Sequence, residues 1–174
     1  MQRQFNFFNR VEVKDPADDT KSPEVFKSIE PNVASSGRGH MVVADRLGQV
    51  QVIDKGLQAE IFVAYKGGRV THLKQLKQRN ILVTVGEEDN TEQSIKLWNF
   101  DKPDRNKPGP TLERLIRVNQ TGNAFPVTVL AVLENLSQIA VGLANGTVVL
   151  ISGDLMRERT TAQRIVHQND EPIT

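Results

Sequence analysis

The chain has 174 residues, 38% of them hydrophobic and 25% charged, with a net charge of +1 at neutral pH. That composition suits one folded unit with an ordinary core, and the balanced charge supplies no overall field to gather nucleic acid or an anionic membrane. The absence of cysteine excludes disulfides, thiol catalysis and thiolate zinc sites, a usage that fits the cytosol.

In chain order, "MQRQFNFFNRVEVKD" offers three Phe broken by Asn, without the continuous apolar core of a signal peptide, and no later run approaches a membrane span. Residues 14–37 are rich in Pro, Ser and Asp and have no sustained period, so 1–37 read as a strand-and-loop leader with Phe26 and Ile29 as anchors. From residue 40 onward, short runs rich in Val, Ile and Leu alternate with turn residues, the texture of strands.

Three hairpins stand out. Strands at 41–44 and 50–53 flank a turn at Arg46–Gly48, and strands at 81–85 and 95–98 flank an acidic loop carrying Glu87, Glu88 and Asp89. Strands at 139–143 and 147–151 flank Asn145-Gly146, a pair that tolerates the positive φ of a tight turn. A Val-Thr pair opens an apolar strand before each of the last two hairpins, at Val70-Thr71 and Val127-Thr128. Further strands follow the hairpins at 59–65, 112–118 and 162–167, with Glu113, Arg114 and Arg117 suiting an exposed edge. Helices are the competing reading for the Val70, Leu73, Leu76 and Leu82 stripe and for "LMRERTTAQRIVHQ".

The opening Val recurs 57 residues after Val70, Ile173-Thr174 repeats the pair 46 residues after Val127, and "EPNVA" at 30–34 offers a degenerate earlier copy 37 residues before Val70. Such irregular periods, with four short strands in each, are those of propeller blades. The expected fold is therefore all-β, a partial WD-like propeller of about three four-stranded blades that stops before ring closure. Its expected divisions are a leader at 1–37, an incomplete first blade at 38–67, a second at 68–124, a third at 125–170 and the start of another at 171–174. "QSIKLWNFDKP" then places the only tryptophan, Trp98, at the end of a third strand, with Asn99 where that repeat carries Asp. Alternation puts Ile95, Leu97 and Asn99 on one face and Lys96, Trp98 and Phe100 on the other, so Trp98 is expected to wedge between blades as a packing residue whose indole N–H needs an acceptor.

Chemistry is sparse. His40, His72 and His167 fall in different units without metal-ligand spacing, and the Gly-x-Gly of "SSGRGH" lacks the rest of a phosphate loop. Asp45 and Glu87 are the nearest candidates for a hydrolytic pair at a channel mouth. The basic stretches Lys74, Lys77, Arg79 and Lys102, Arg105, Lys107 have no interleaved aromatics to stack bases and read as solvated faces. No catalytic, cofactor-binding or metal-ligating residue is assigned, no cofactor is expected, and the binding residues are not legible. A protein-interaction scaffold is the remaining reading, with a generic WD-like adaptor as the alternative.

The runs "GRVTHLKQLKQRNILVTVGEEDN", "SIKLWNFDK" and "VTVLAVLENLSQIAVGLANGTVVLISGDLMRERTT" resemble the amino-terminal propeller of the vacuolar protein sorting subunit eleven family. "FNFFNR", "SSGRG" and "VADRLGQVQVID" extend the resemblance over nearly the whole chain, and residues 11–30 resemble the family least. The resemblance implies a class C core subunit of the HOPS and CORVET tethering complexes, peripheral on late endosome, lysosome or vacuole membranes. It implies partnership with the other class C subunits, and with Rab GTPases and SNAREs through the complex. It implies three blades of seven here, without the α-solenoid and RING finger found further along the family's chains.

Overall fold

In an antiparallel sheet successive side chains alternate between faces, so a strand buried on both sides must be apolar on both. The run at 81–85, with Thr84 its one polar residue, comes close to that demand and lies in the middle one of the three sheets. A computed structural model describes residues 12–15, 17–89, 92–103, 109–118, 123–157 and 161–174. The Phe-rich start, Arg105 and Lys107 lie outside the described residues.

Among the described residues, twelve strands make three four-stranded antiparallel sheets. The first contains β1 (Pro31–Gly37), β2 (His40–Asp45), β3 (Gln49–Ile53) and β4 (Ala59–Val63). The second contains β5 (Arg69–Gln75), β6 (Ile81–Glu87), β7 (Ser94–Pro103) and β8 (Pro110–Arg117), and the third β9 (Val127–Val132), β10 (Gln138–Leu143), β11 (Val148–Ser152) and β12 (Ala162–His167). Each sheet follows chain order from its inner to its outer strand, and β1, β5 and β9 of successive sheets lie side by side. These are three blades of a partial β-propeller, which three blades alone do not close into a ring.

Both segments that competed as helices are strands. Val70 is fully buried in β5 with Leu73 packed against the same cluster, and Leu76, just past the strand, is fully buried in the core shared with the third sheet, because tertiary burial on two faces overrides a short i, i+3 stripe. Residues 162–167 pair with β11, while 158–160 lie outside the described residues.

The first sheet departs from the expected divisions. Residues 31–37, assigned above to the leader, are its first strand, so the sheet has four strands where an incomplete blade was expected. "PNVASSG" carries a single large apolar residue and no clean alternation. Its strand conformation comes from pairing with β2 and from lying along β5, where Asn32 donates to Val70 O at 2.8 Å and Ser35 Oγ accepts the Gln75 N–H at 3.1 Å. Phe26 and Ile29 do anchor the preceding loop, packing with Val43 and Ile53 on the face of the first sheet that is turned away from the second. At the far end of the chain no strand is assigned to 171–174, but the Ile173 N–H donates to Leu143 O at 3.3 Å and the Thr128 hydroxyl bonds Ile173 O.

Candidate functional site

The second sheet separates two cores. Leu82 and Trp98 face the first blade, joining Val42, Val50, Phe62 and Tyr65, while Ile81, Val83, Val85, Ile95 and Leu97 face the third. Trp98 meets Phe62 of β4 with ring centroids 5.0 Å apart and a tilt of 59°, and Phe100 closes on Phe62 edge-on at 6.3 Å. The indole finds its acceptor inside its own blade, as Nε1–H donates to Thr84 Oγ1 at 3.0 Å. Asn99 accepts the Asp101 N–H on Oδ1 and donates to Glu113 Oε1, which fastens β7 to β8.

A polar cluster lies at the edge of this joint. Tyr65 is fully buried, and its single hydroxyl hydrogen has two carbonyl acceptors, Ser94 O at 2.9 Å and Thr84 O at 3.1 Å. Burial pushes the phenol well above the ordinary tyrosine range, because a phenolate there would lose its water, so Tyr65 stays a neutral donor. Lys96, 4% exposed, points at the face of the Tyr65 ring with Nζ 4.3 Å from its centroid. Its ammonium donates to Ala64 O at 2.7 Å and to Glu88 Oε1 at 2.5 Å. A buried ammonium is tolerated when its donors are matched by an anion and a carbonyl, which is the arrangement here. Beside the cluster, Ile61, Val63, Leu112, Trp98 and Lys66 line an open cleft of about 620 Å³ between β4 and β8.

The joint between the second and third blades is tied by side chains to backbone. His72 bridges them, with Nε2 3.0 Å from Thr128 O and Nδ1 3.1 Å from Thr71 Oγ1. Arg114 was expected as an exposed edge charge, but it is half-buried and donates to Leu155 O at 3.0 Å, Arg157 O at 2.9 Å and Thr161 Oγ1 at 2.6 Å. Its planar fork reaches three acceptors on the neighbouring blade, a requirement that residue spacing alone does not show.

The two hydrolytic candidates serve the backbone and the surface. Asp45 caps the β2–β3 turn, its Oδ1 accepting the Leu47 and Gln49 N–H groups, each at 2.8 Å. Glu87 pairs with Arg69 at 2.8 Å. His40 and His167 are exposed at different places, and among the described residues no group of three His, Asp or Glu is placed to hold a metal ion. The residues that the fold does bring together are Tyr65, Thr84, Lys96 and Trp98. Sequence reading reached only Trp98 of these as a joint residue. Lys96 was legible as a member of the same face, but not as buried.

This geometry holds blades together and presents turns and outer strands, as a recognition module requires. The family described as PEP5/VPS11 N-terminal matches residues 3–174. The chain belongs to that family. The chain is similar to a "Vacuolar protein sorting-associated protein 11 homolog" from Homo sapiens, 37% identical over 186 residues that cover 99% of the chain and 19% of that relative. Its counterpart from Dictyostelium discoideum is 35% identical, covering 99% of the chain and 18% of the relative. One from Arabidopsis thaliana is 33% identical over 152 residues, covering 80% of the chain and 16% of the relative. The chain thus spans about a fifth of the length of the curated relatives it matches, and the PEP5/VPS11 N-terminal family accounts for nearly all of its residues.

Proposed function

We propose that this chain is a non-catalytic scaffold within a membrane-tethering complex, acting in the docking and fusion of endosomal vesicles with the lysosome or vacuole. The observation that supports this reading is the PEP5/VPS11 N-terminal match over residues 3–174, with relatives named for vacuolar protein sorting. The partners on this reading are the other class C subunits of HOPS or CORVET, with Rab GTPases and SNAREs reached through the complex. Membrane association is peripheral; no helix among the described residues is long and apolar enough to cross a membrane. A scaffold role is in keeping with a fold whose buried polar groups bind one another across blades: Arg114, His72 and Lys96 are used to fix blade geometry rather than turned toward a substrate. On this reading the first blade, which begins at residue 31, and the divisions at 68–124 and 125–170 serve as successive blades of one interaction surface, with 171–174 leading into another.

The test is affinity purification of the tagged chain from cells, followed by identification of what copurifies. Recovery of class C tethering subunits or an endolysosomal Rab is the expected result. Recovery of signalling or ubiquitin-ligase components in their place would refute the trafficking role and favour a general adaptor.

A further inference from the structure

The net charge of +1 conceals a separation of charge between the two ends of the strands. Contacts from Asn32 to Val70 and Ser35 to Gln75, and from His72 to Thr128 and Lys77 to Glu134, show that β1, β5 and β9 run in the same sense. Alternate turns therefore gather at the same end. The β1–β2, β3–β4 and β5–β6 turns bring Arg38, Lys55, Lys77 and Arg79 to one end. The opposite end carries Glu87, Glu88, Asp89, Glu92, Asp170 and Glu171, which outnumber its Arg46, Lys66, Arg69 and Arg117.

At the basic end Arg38, His40, Lys55 and Lys77 line a shallow hollow of about 620 Å³, together with the apolar Met41, Ile53 and Leu57. The cations come from three turns that the fold brings together. A Cβ built at Gly39 would lie 3.5 Å from Lys55 Cε, so the Lys55 stem crosses the β1–β2 turn. The Arg38 guanidinium donates to Lys77 O at 3.5 Å, linking the first two blades. Asp54 is the one carboxylate in the lining, and its Oδ1 already accepts the Gln58 N–H at 2.9 Å. Glu134, on the third-blade side, is occupied by the Lys77 and Gln78 backbone N–H groups. Among the described residues none of Arg38, Lys55 and Lys77 lies within ion-pair distance of a carboxylate.

We infer that this hollow binds the phosphomonoester headgroup of an anionic lipid, and so seats the basic end of the propeller on a membrane surface. A phosphomonoester carries close to two negative charges and three acceptor oxygens, which matches several unpaired cations that include an Arg fork. The apolar members of the lining suit an amphiphile better than a free anion. The acidic opposite end favours a membrane over an acidic peptide. A plane of negative charge attracts one end and repels the other, and so orients the whole body, whereas a peptide senses only the local cations. The inference stands on turn placement and charge, and does not depend on membership of a tethering complex.

The test is vesicle flotation with the purified chain, using phosphatidylcholine alone, phosphatidylcholine with phosphatidylserine, and phosphatidylcholine with a phosphatidylinositol phosphate. Binding is expected to be strongest with the phosphatidylinositol phosphate and to weaken with added salt. The Lys55→Gln/Lys77→Gln double variant is expected to lower partitioning roughly 25-fold, about fivefold for each lysine near an anionic surface. Lys66→Gln, from a turn at the opposite end, is expected to leave partitioning unchanged. Trp98 emission identical to the parent's shows that each variant is folded. Failure of the parent to float with any vesicle would overturn the inference, as would equal binding to phosphatidylserine vesicles or an undiminished double variant. Saturation by inorganic phosphate without vesicle recruitment would make the hollow a soluble-anion site and overturn the lipid assignment. Capture by an immobilised acidic peptide, but not by vesicles, would overturn it in favour of protein docking.

Discussion

Replacing Gly48 by Ala tests how the outer strand of the first blade is held. Gly48 sits at φ +78°, and its carbonyl accepts the N–H groups of Ala64 at 2.8 Å and Tyr65 at 3.1 Å, which locks the exit of β4 against the β2–β3 turn. A Cβ there would lie 1.8 Å from Tyr65 O, a backbone atom that cannot rotate away. Gly39 is the internal control: its φ is +82°, but the nearest atom to a new Cβ is the flexible Lys55 Cε at 3.5 Å. Both substitutions carry the left-handed penalty of ~1–2 kcal/mol. Gly48→Ala must in addition push residues 64–65 away, weakening two backbone hydrogen bonds worth ~1 kcal/mol each and disturbing the fully buried Tyr65. The expected cost is ~3–5 kcal/mol for Gly48→Ala against ~1–2 kcal/mol for Gly39→Ala. Urea unfolding followed by the fluorescence of Trp98 measures both, since this only tryptophan lies at the joint between the first two blades. Equal destabilisation by the two variants would refute the claim that close approach, rather than φ, makes Gly48 necessary.

Two further outcomes are expected. Tyr65 is the only tyrosine, and its folded-state pKa lies above its unfolded value near ~10. Its contribution to stability is therefore complete below the unfolded value and is lost as pH rises through the folded one. Phenolate absorbance should appear together with the change in Trp98 emission on alkaline titration, and a reversible phenolate signal near pH ~10 with emission unchanged would contradict the burial argument. Arg114→Lys should destabilise the joint between the second and third blades by ~1–3 kcal/mol, because an ammonium cannot reach Leu155 O, Arg157 O and Thr161 Oγ1 together. Unfolding in urea with an unchanged midpoint would show those three bonds to be dispensable.

Strand identity and blade number were legible because they follow from local signals. Val-Ile-Leu runs of four to seven residues, the Asn145-Gly146 turn and the returning Val-Thr pairs need no knowledge of what packs on them. The face carrying Trp98 was legible for the same reason, since strand alternation is a property of the backbone. β1 was placed in the leader because "PNVASSG" has almost no apolar signal; partners supplied by β2 and β5 make it a strand. Arg114 illustrates the same limit on the site side. Spacing showed a charge on an outer strand, but whether that charge meets water or three carbonyl and hydroxyl oxygens depends on a blade more than 40 residues away in sequence.

The sequence by itself thus determined an all-β chain of repeated four-stranded units, and it excluded disulfides and thiolate metal sites by composition. Tertiary structure decided which charges are buried, which are paired and which end of the molecule each one occupies. Lys96 became an internal cation between Glu88 and Ala64, and Arg38, Lys55 and Lys77 converged although they lie 17 and 22 residues apart. The physical reason is that strand signals are carried by neighbours in sequence, whereas electrostatic surroundings are summed over neighbours in space.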